Sequence, residues 1–494
     1  MKKIYLLLTV AAVLCLSSCN LDINDNPNFP SNNDVTPDLV FPAAENAIAT
    51  AVGDQMFNYG GFFAQYFEQR PEANQYNDEA ELNLDESSDL FNRCYRTLYA
   101  GALADIQNVM ERTENKSDLF ACTVMRAYAF QILVDNLDQV PYTEALQGSA
   151  NSQPKWDAGQ EVYEGVLAEI DAAEAALDGE LMTLTDPMLN KSVDAWKGFA
   201  NALRLRMYLR LIDGGVNAST YQAKAVALVQ ANNFFTGNVA WDVYSPSEGQ
   251  FNPWYDVARA LGTKNHVAAY PIVSYYTATN DPRMAYVIMK AEATSDYVGQ
   301  IPGAKTIYKD WGVDWKNKDV SAIDYTPVMA APIYLFTQSE LQFLIAETQM
   351  RWGNKAAAKA AYEAGVAADF ASRGIAVGGF LAQPQVNWDA QASDAARLKL
   401  IYMQKWAALF MRDHMEAWSE VRRTDVPTTC AATAKQIYQD GTVYEPGQMI
   451  VPARNFIVAG GLCKRVPYPS TARQLNKNTP AEKLLSDRVF WDAK

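Results

Sequence analysis

The segment from Tyr297 to Trp315 concentrates side chains that could hold a ligand by stacking. Tyr297, Trp311 and Trp315 lie within 19 residues, separated by glycines and accompanied by aspartates. Flat aromatic rings stack on apolar ligand faces, and neighbouring carboxylates accept hydrogen bonds from hydroxyl groups. Tyr76 lies in a polar run, Asn-Gln-Tyr-Asn-Asp, which indicates exposure. We therefore predict that these four residues contact ligand.

Other aromatic residues between positions 234 and 336 are predicted to pack in the protein core. Residues 234–336 hold 18 aromatics in 103 positions, about 17% against 12% for the whole chain. Aromatic rings also dominate protein cores, so part of this excess must serve packing. We assign Trp241, Trp254 and Tyr255 to packing.

Groups that could carry catalysis are few. The chain contains two histidines, His266 and His414, and we expect His414, beside Asp413 in a helical pattern, to be structural. No HExxH, GxSxG or phosphate-binding glycine loop occurs. We predict no enzyme activity, no cofactor and no metal site.

Carboxylate clusters keep one catalytic alternative open. A glycosidase needs two carboxyl groups about 5–10 Å apart. An acidic solvated surface or a calcium-tolerant loop explains the same pattern. The clusters are Glu79, Glu81, Asp85 and Glu86, and the pair Asp310 and Asp314 around Trp311.

The overall charge excludes one class of partner. The formal net charge is −15 and the isoelectric point is about 4.8. Binding to a nucleic-acid backbone requires clustered Lys and Arg, so we expect no nucleic-acid partner.

The N-terminus has the form of a lipoprotein export signal. Two lysines precede an apolar run, Ile4 to Leu16, that is too short to span a bilayer, which needs roughly 20 residues. Leu16-Ser17-Ser18-Cys19 then resembles a bacterial lipobox. We predict that residues 1–18 are a signal peptide, that Cys19 is lipidated, and that residues 19–36 are a flexible tether.

Four cysteines remain after the lipidated one: Cys94, Cys122, Cys430 and Cys463. Cys94 and Cys122 lie in helical patterns and are expected to be buried. Cys430 and Cys463 lie in a loop-rich part, where a bridge is possible, but sequence does not choose among the three pairings.

Hydrophobic periodicity predicts a mainly helical scaffold. Apolar residues recur at steps of three and four from Asn190 to Asp213, and Gly214-Gly215 ends that helix. Residues 338–370 resemble a tetratricopeptide hairpin, with Ala358 and Tyr362 at its helix contact. Residues 234–336 carry seven prolines and six glycines, which favour a loop-rich insertion. Further helices are expected near 37–57, 87–113, 117–136, 159–178 and 218–232.

Several motifs, in one order, resemble the SusD/RagB family of outer-membrane nutrient-binding lipoproteins. They are Trp196-Lys197-Gly198-Phe199-Ala200-Asn201-Ala202-Leu203-Arg204-Leu205-Arg206, Asp281-Pro282-Arg283, Ser339-Glu340-Leu341-Gln342-Phe343-Leu344-Ile345-Ala346-Glu347, Gln404-Lys405-Trp406, Glu416-Ala417-Trp418, Arg422-Arg423-Thr424-Asp425-Val426-Pro427 and Arg465-Val466-Pro467-Tyr468-Pro469. Most of these residues are expected to form scaffold, the arginines at 204, 206, 422 and 423 pairing with carboxylates and helix-end carbonyls.

The resemblance implies a mostly α-helical, tetratricopeptide-like fold, as one domain over 37–494. It also implies a surface lipoprotein of the outer membrane that passes oligosaccharides or peptides to a TonB-dependent, SusC-like barrel transporter. Two rival functions remain: a lipid-anchored glycoside hydrolase, and a helical-repeat scaffold that binds only other proteins.

Overall fold

Helices form most of the chain in the computed structural model, which describes residues 35–85, 87–260, 265–457 and 460–493. The predicted signal peptide, Cys19, most of the predicted tether and Glu86 lie outside these residues. The helices are α1 Pro37–Ala51, α2 Phe57–Phe63, α3 Asn77–Glu81, α4 Asn92–Arg96, α5 Ala104–Met110, α6 Lys116–Leu137, α7 Gly159–Ala175, α8 Val193–Asp213, α9 Ala218–Ala231, α10 Pro253–Ala260, α11 Tyr270–Ala278, α12 Met284–Val287, α13 Gln338–Trp352, α14 Lys355–Ser372, α15 Asp394–Leu409, α16 His414–Thr424, α17 Ala434–Gln439 and α18 Ser470–Leu475.

Shorter elements complete the chain. A π-helical segment, Val52–Met56, joins α1 to α2, and a second one, Thr97–Leu103, joins α4 to α5. The strands are β1 Phe67–Gln69, β2 Val239–Trp241, β3 His266–Ala268 and β4 Ile333–Phe336, and the 3₁₀ turns are Gly148–Ala150, Tyr308–Trp311, Asn317–Asp319, Thr326–Val328, Phe380–Ala382 and Gly441–Val443. All the predicted helices are present, and the expectation of a mostly helical fold is confirmed.

Side-chain caps fix where several long helices begin. The side chains of Asn115, Ser192, Thr337, Asn354 and Asp413 each accept a backbone N–H in the first turn of the helix that follows. Such a cap satisfies one of the donors that a helix start leaves without an intrahelical partner.

Successive helices pack in antiparallel pairs, as in tetratricopeptide repeats. The closest pairs are α13 with α14, α6 with α7, and α8 with α9. In the α13–α14 hairpin, Ala358 and Tyr362 are fully buried, and the Tyr362 hydroxyl donates to the Val386 carbonyl at 2.6 Å. Their predicted place at the helix contact is confirmed.

Helix α8 is buried on all sides, which its sequence did not indicate. The predicted apolar stripe faces the core, but Arg206 and Arg210, which lie off it, are also buried. Charged side chains tolerate such burial only when they are paired and hydrogen-bonded. Arg206 donates to Glu340 at 2.9 and 2.8 Å, and Arg210 contacts Asp135 and Glu416 at 2.6 Å each.

A second set of buried pairs adjoins the first, and we call the two sets together the buried charge network. Arg423 of α16 donates to Glu347 at 2.8 and 2.6 Å, to Glu420 at 2.9 and 2.6 Å, and to Asp213 at 2.5 Å. The ammonium of Lys405 lies 3.1 Å from Glu420. Arg204 and Arg422 also have carboxylate or carbonyl partners, so the predicted role of these arginines is confirmed.

The aromatic-rich insertion is organised by short pairings of strands. β2 pairs with β4, and β1 pairs with β3, both antiparallel. Isolated bridges join Ala269 to Gln300, Val267 to Ala322, and Ile288 to Ile323. Among its described residues the longest helix is the nine-residue α11, as the proline and glycine content predicts.

All four cysteines of the described chain are free and buried. Cys430 and Cys463 lie in different hydrophobic clusters, so the bridge between them that the sequence left possible does not form. Helix α6 is long and apolar enough to span a membrane, but 89% of that stretch is buried in the protein, as in a core helix.

Candidate ligand-binding site

The insertion builds the wall of a cavity next to strand β3. The N–H of Gln300 donates to the Ala268 carbonyl at 2.9 Å, and the N–H of Tyr270 donates to the Gln300 carbonyl at 2.7 Å. Gly299 lies so close to α11 that a Cβ there would be 2.6 Å from the Tyr270 Cα, so only glycine fits without a backbone shift. These contacts hold the segment that follows Tyr297 against the start of α11.

We call this space, of about 610 Å³, the aromatic cavity. Four large rings line it, from three parts of the chain: Tyr270, Tyr297, Trp315 and Tyr438. The other described residues that line it are uncharged and are small or apolar or carry a hydroxyl: Val273, Ser274, Thr277, Ala278, Val298, Gly299, Ile301, Ile437, Gly441 and Pro446. Its volume falls within the usual range for ligand sites, about 300–1,000 Å³.

Trp315 is held by the ring behind it. Its ring stacks on Tyr308 with centroids 4.9 Å apart and an interplanar angle of 10°. Tyr308 is itself buried, and its hydroxyl accepts the N–H of Ile301 at 3.1 Å. Burial raises the pKa of the Tyr308 phenol, so it stays neutral. One face of Trp315 is thus fixed by packing while the residue still lines the cavity.

Trp311 occupies a different place. It ends a 3₁₀ turn, is half-buried, and is not among the residues that line the aromatic cavity. Its ring lies edge-on to Tyr308 at 5.5 Å and tilted against Tyr438 at 5.4 Å. Trp311 therefore supports the Tyr438 side of the wall.

Tyr76 lies on a neighbouring segment, in a second cavity. Its ring stacks on His266 at 4.8 Å. The segment around it is bonded to the 305–317 loop, where Lys305 donates to Asn77 at 3.0 Å and the N–H of Asn317 donates to Glu72 at 3.0 Å. Of the four residues predicted to contact ligand, Tyr297 and Trp315 line the aromatic cavity, Tyr76 lines the second cavity, and Trp311 lines neither. Their contact with ligand stays a prediction.

Two rings of the aromatic cavity were not predicted from sequence. Tyr270 opens α11 and Tyr438 lies in α17, far from the 297–315 segment along the chain. Neither has neighbours that distinguish it from a packing residue. Trp241 and Trp254 are buried, and Trp254 stacks on Phe67 at 5.5 Å, as the packing prediction requires.

The histidines are unsuited to acid–base work at neutral pH. His414 is fully buried, accepts the Met411 N–H at 2.8 Å, and lies 2.8 Å from the Phe57 carbonyl. Burial lowers the pKa of both His414 and His266 to about 3, so both stay neutral. The structural role predicted for His414 agrees with these contacts.

Three carboxylates of the acidic clusters have ordinary partners. Glu81 pairs with Arg454 at 3.3 Å, Asp85 accepts hydrogen bonds from Ser87, and Asp314 pairs with Lys316 at 2.9 Å. Within the described ranges, no group of three or more His, Cys, Asp or Glu side chains is arranged to hold a metal ion.

Solved structures resemble the whole fold. A "chitin-binding protein" matches with a TM-score of 0.73 and 19% identity, over 93% of this chain and 100% of that one. A SusD homologue from Bacteroides uniformis matches with a TM-score of 0.68 and 21% identity, over 92% and 100%. A chitin-binding SusD homologue from Flavobacterium johnsoniae matches with a TM-score of 0.70 and 19% identity, over 91% and 98%. At these identities the likeness shows the fold.

No curated protein sequence matches the chain. The profile of a SusD-like family, described as "Starch-binding associating with outer membrane", matches residues 30–445. That match spans most of the 494 residues and includes the Trp196, Glu340 and Arg423 motifs. The protein therefore belongs to this SusD-like family.

Proposed function

We propose that this protein is a cell-surface lipoprotein that captures oligosaccharides and delivers them to a TonB-dependent, SusC-like barrel transporter. The observation that carries the proposal is the aromatic cavity, whose described lining combines four rings with hydroxyl groups and includes no charged side chain. The names of the structural relatives, two of which bind chitin, and the description of the family support a carbohydrate ligand.

The chemistry of the lining suits a neutral sugar. Sugar rings present apolar C–H faces that stack on aromatic rings, while their hydroxyls need hydrogen-bond partners. The phenols of Tyr270, Tyr297 and Tyr438 can donate and accept. The hydroxyls of Ser274 and Thr277 donate to carbonyls of their own helix at 2.8 Å. Ser274 also accepts the Gly447 N–H at 3.0 Å, so the Thr277 oxygen is the better placed of the two to accept a hydrogen bond from ligand.

The same lining argues against hydrolysis. A glycosidase places two carboxyl groups on either side of the bond that it cleaves. Within the described part of the chain, no Asp, Glu or His lines the aromatic cavity. A ligand bound there would meet stacking surfaces and hydroxyls but not the pair of carboxyl groups that a glycosidase uses, so we propose capture without catalysis.

Replacing Trp315 by alanine tests the site. Removing a stacking hot spot commonly costs about 2 kcal/mol of binding, close to thirtyfold in affinity. We expect Trp315→Ala to weaken binding of the best ligand from a panel of neutral oligosaccharides and peptides at least tenfold, measured by calorimetry. The melting temperature should change little, because Trp315 is only half-buried.

Trp352→Ala is the matched control, since Trp352 is also half-buried and lies outside the cavity. Equal affinity in the Trp315 and Trp352 variants would contradict the site. Selective binding of peptides would show that the ligand is a peptide and not an oligosaccharide. Release of a cleavage product would favour the glycoside hydrolase, and no binding at all would favour the protein-binding scaffold.

Membrane attachment is tested at Cys19. Several acyl chains anchor a protein stably, because each buried methylene contributes about 0.8 kcal/mol. We expect Cys19→Ala to move the protein from the membrane fraction to the soluble fraction, as seen by immunoblotting after fractionation.

The unaltered protein, extracted in mild detergent, should co-purify with a barrel transporter. A variant that stays with membranes would disprove the lipid anchor, and a purified protein without the barrel would disprove the delivery role.

A further inference from the structure

A second cavity, of about 300 Å³, lies between the start of α2 and the 75–93 segment, and we call it the acidic pocket. It is richer in polar groups than the aromatic cavity. The residues that line it are Asp54, Gln55, Asn58, Tyr59, Gln75, Tyr76, Glu79, Ser88, Asp89, Leu90, Arg93, Trp254, Val257, Ala258 and His266.

The floor of the acidic pocket consists of packed, uncharged rings. Tyr76 stacks on His266 with an interplanar angle of 24°, and Trp254 lies 5.2 Å from the same imidazole. The ring nitrogens of His266 are 2.8 Å from the Tyr325 hydroxyl and 2.6 Å from the Asn58 side-chain oxygen. Both nitrogens are thereby satisfied, so the histidine serves as a fixed platform for the Tyr76 ring.

The walls carry an excess of negative charge. Asp54, Glu79 and Asp89 contribute three carboxyl groups and Arg93 one guanidinium, which gives a formal net charge of −2 when all are ionised. Arg93 is committed to Asp54 at 2.9 Å, and Asp89 accepts the Ser470 N–H at 3.1 Å. Among the described residues, no side chain bonds to the carboxylate of Glu79, whose pKa is raised chiefly by burial, with a backbone hydrogen bond opposing.

We propose that the acidic pocket binds a protonated primary amine, held between the Glu79 carboxylate and the face of Tyr76. An ammonium group offers three donors and favours the negative face of an aromatic ring. Charge-assisted hydrogen bonds of this kind are about twice as strong as neutral ones. Phosphates and uronic acids would be repelled by the carboxylate excess. The proposal concerns a separate pocket and does not depend on the ligand of the aromatic cavity.

Paired ligands that differ only in the amine test the proposal. One pair is a glucosamine trimer and its fully N-acetylated counterpart, and the other is a tripeptide with a free or an acetylated N-terminus. We expect the free amine of at least one pair to bind at least tenfold more tightly at pH 7 and low salt. The pair that shows the preference identifies the source of the amine as a sugar or a peptide.

Glu79→Gln should abolish that preference, because it removes the charge and keeps the shape. Asp78→Asn is the matched control, since it removes the same charge from the adjacent, exposed position. Equal affinity for the two members of both pairs would overturn the proposal. So would a preference for the free amine that survives in Glu79→Gln, or one that is lost equally in Asp78→Asn. Trp315→Ala reports separately on the aromatic cavity, so failure of one site is distinguishable from failure of the other.

The pH dependence of binding gives a second readout. Burial raises the pKa of Glu79 to about 7. The titratable groups that line the pocket with it are Asp54, Tyr59, Tyr76, Asp89, Arg93 and His266, and the adjacent Asp78 also raises its pKa. A bound ammonium stabilises the ionised carboxylate, so affinity for a lysine-type amine should rise as the pH increases through 7. Glu79→Gln should remove this rise, and an unchanged pH profile would contradict the role of Glu79.

Discussion

Replacing Arg423 by leucine is expected to lower the free energy of unfolding by about 3–5 kcal/mol, because it leaves buried carboxylates without their cation. Arg423 is 1% exposed, and its guanidinium holds Glu347, Glu420 and Asp213. Chemical denaturation monitored by circular dichroism measures the loss.

A surface ion pair provides the control. Lys359 contacts Asp389 at 2.5 Å, but both side chains are partly exposed, at 35% and 69%. Exposed pairs contribute roughly 0–1 kcal/mol, so Lys359→Leu should change the unfolding free energy by less than about 1 kcal/mol. If Arg423→Leu behaved like Lys359→Leu, the buried charge network would not be a determinant of stability.

Acid should unfold the protein through the same network. Arg423 lowers the pKa of Glu347 to about 2, against the burial that opposes ionisation, and it also lowers the pKa of Glu420. A carboxyl group with a lowered pKa in the folded state contributes stability that is present above its unfolded value of 4.5 and lost as the pH falls toward 2. For Glu347 this contribution is roughly 3 kcal/mol.

The pKa of Glu340 shifts in the opposite direction, and its effect on stability lies above pH 4.5. Burial raises its pKa despite Arg206, so its contribution is complete below the unfolded value of 4.5 and is lost progressively as the pH rises from 4.5 to the raised folded-state pKa. We therefore expect the unfolding free energy to decline between pH 4.5 and 2, and to decline by roughly 3 kcal/mol less in Glu347→Gln. Parallel curves for the two proteins would show that Glu347 does not titrate in this range.

The buried charge network accounts for the charged residues in the family motifs. Glu340, Lys405, Glu416 and Arg423 come from different motifs of the sequence, yet they meet in one buried cluster. A buried charge is tolerated only when its partner is present, so the motifs depend on one another. We infer that such residues mark the scaffold of the fold, while the rings of the aromatic cavity lie outside these motifs.

The sequence determined the helical elements, because local rules decide them. Apolar spacing, caps such as Ser192 and Asn354, and small residues at the α13–α14 contact act over a few positions and are visible in the chain. The same applies to the insertion, where proline and glycine prevent long helices. Tyr297 and Trp315, selected from their glycine and polar neighbours, both line the aromatic cavity, and their contact with ligand stays a prediction.

Only the tertiary structure decided which residues share a cavity and which charges are buried. Tyr270 and Tyr438 are 168 positions apart in the numbering, yet they line one cavity, because β3, the 298–300 segment and α17 converge there. Gly198 shows the same limit: a Cβ there would lie 2.4 Å from the Phe235 N, a contact between segments that no local pattern reveals. Periodicity reports which side of a helix is apolar, but not what covers the other side. The burial of Arg206 and Arg210 follows from carboxylates that other helices supply.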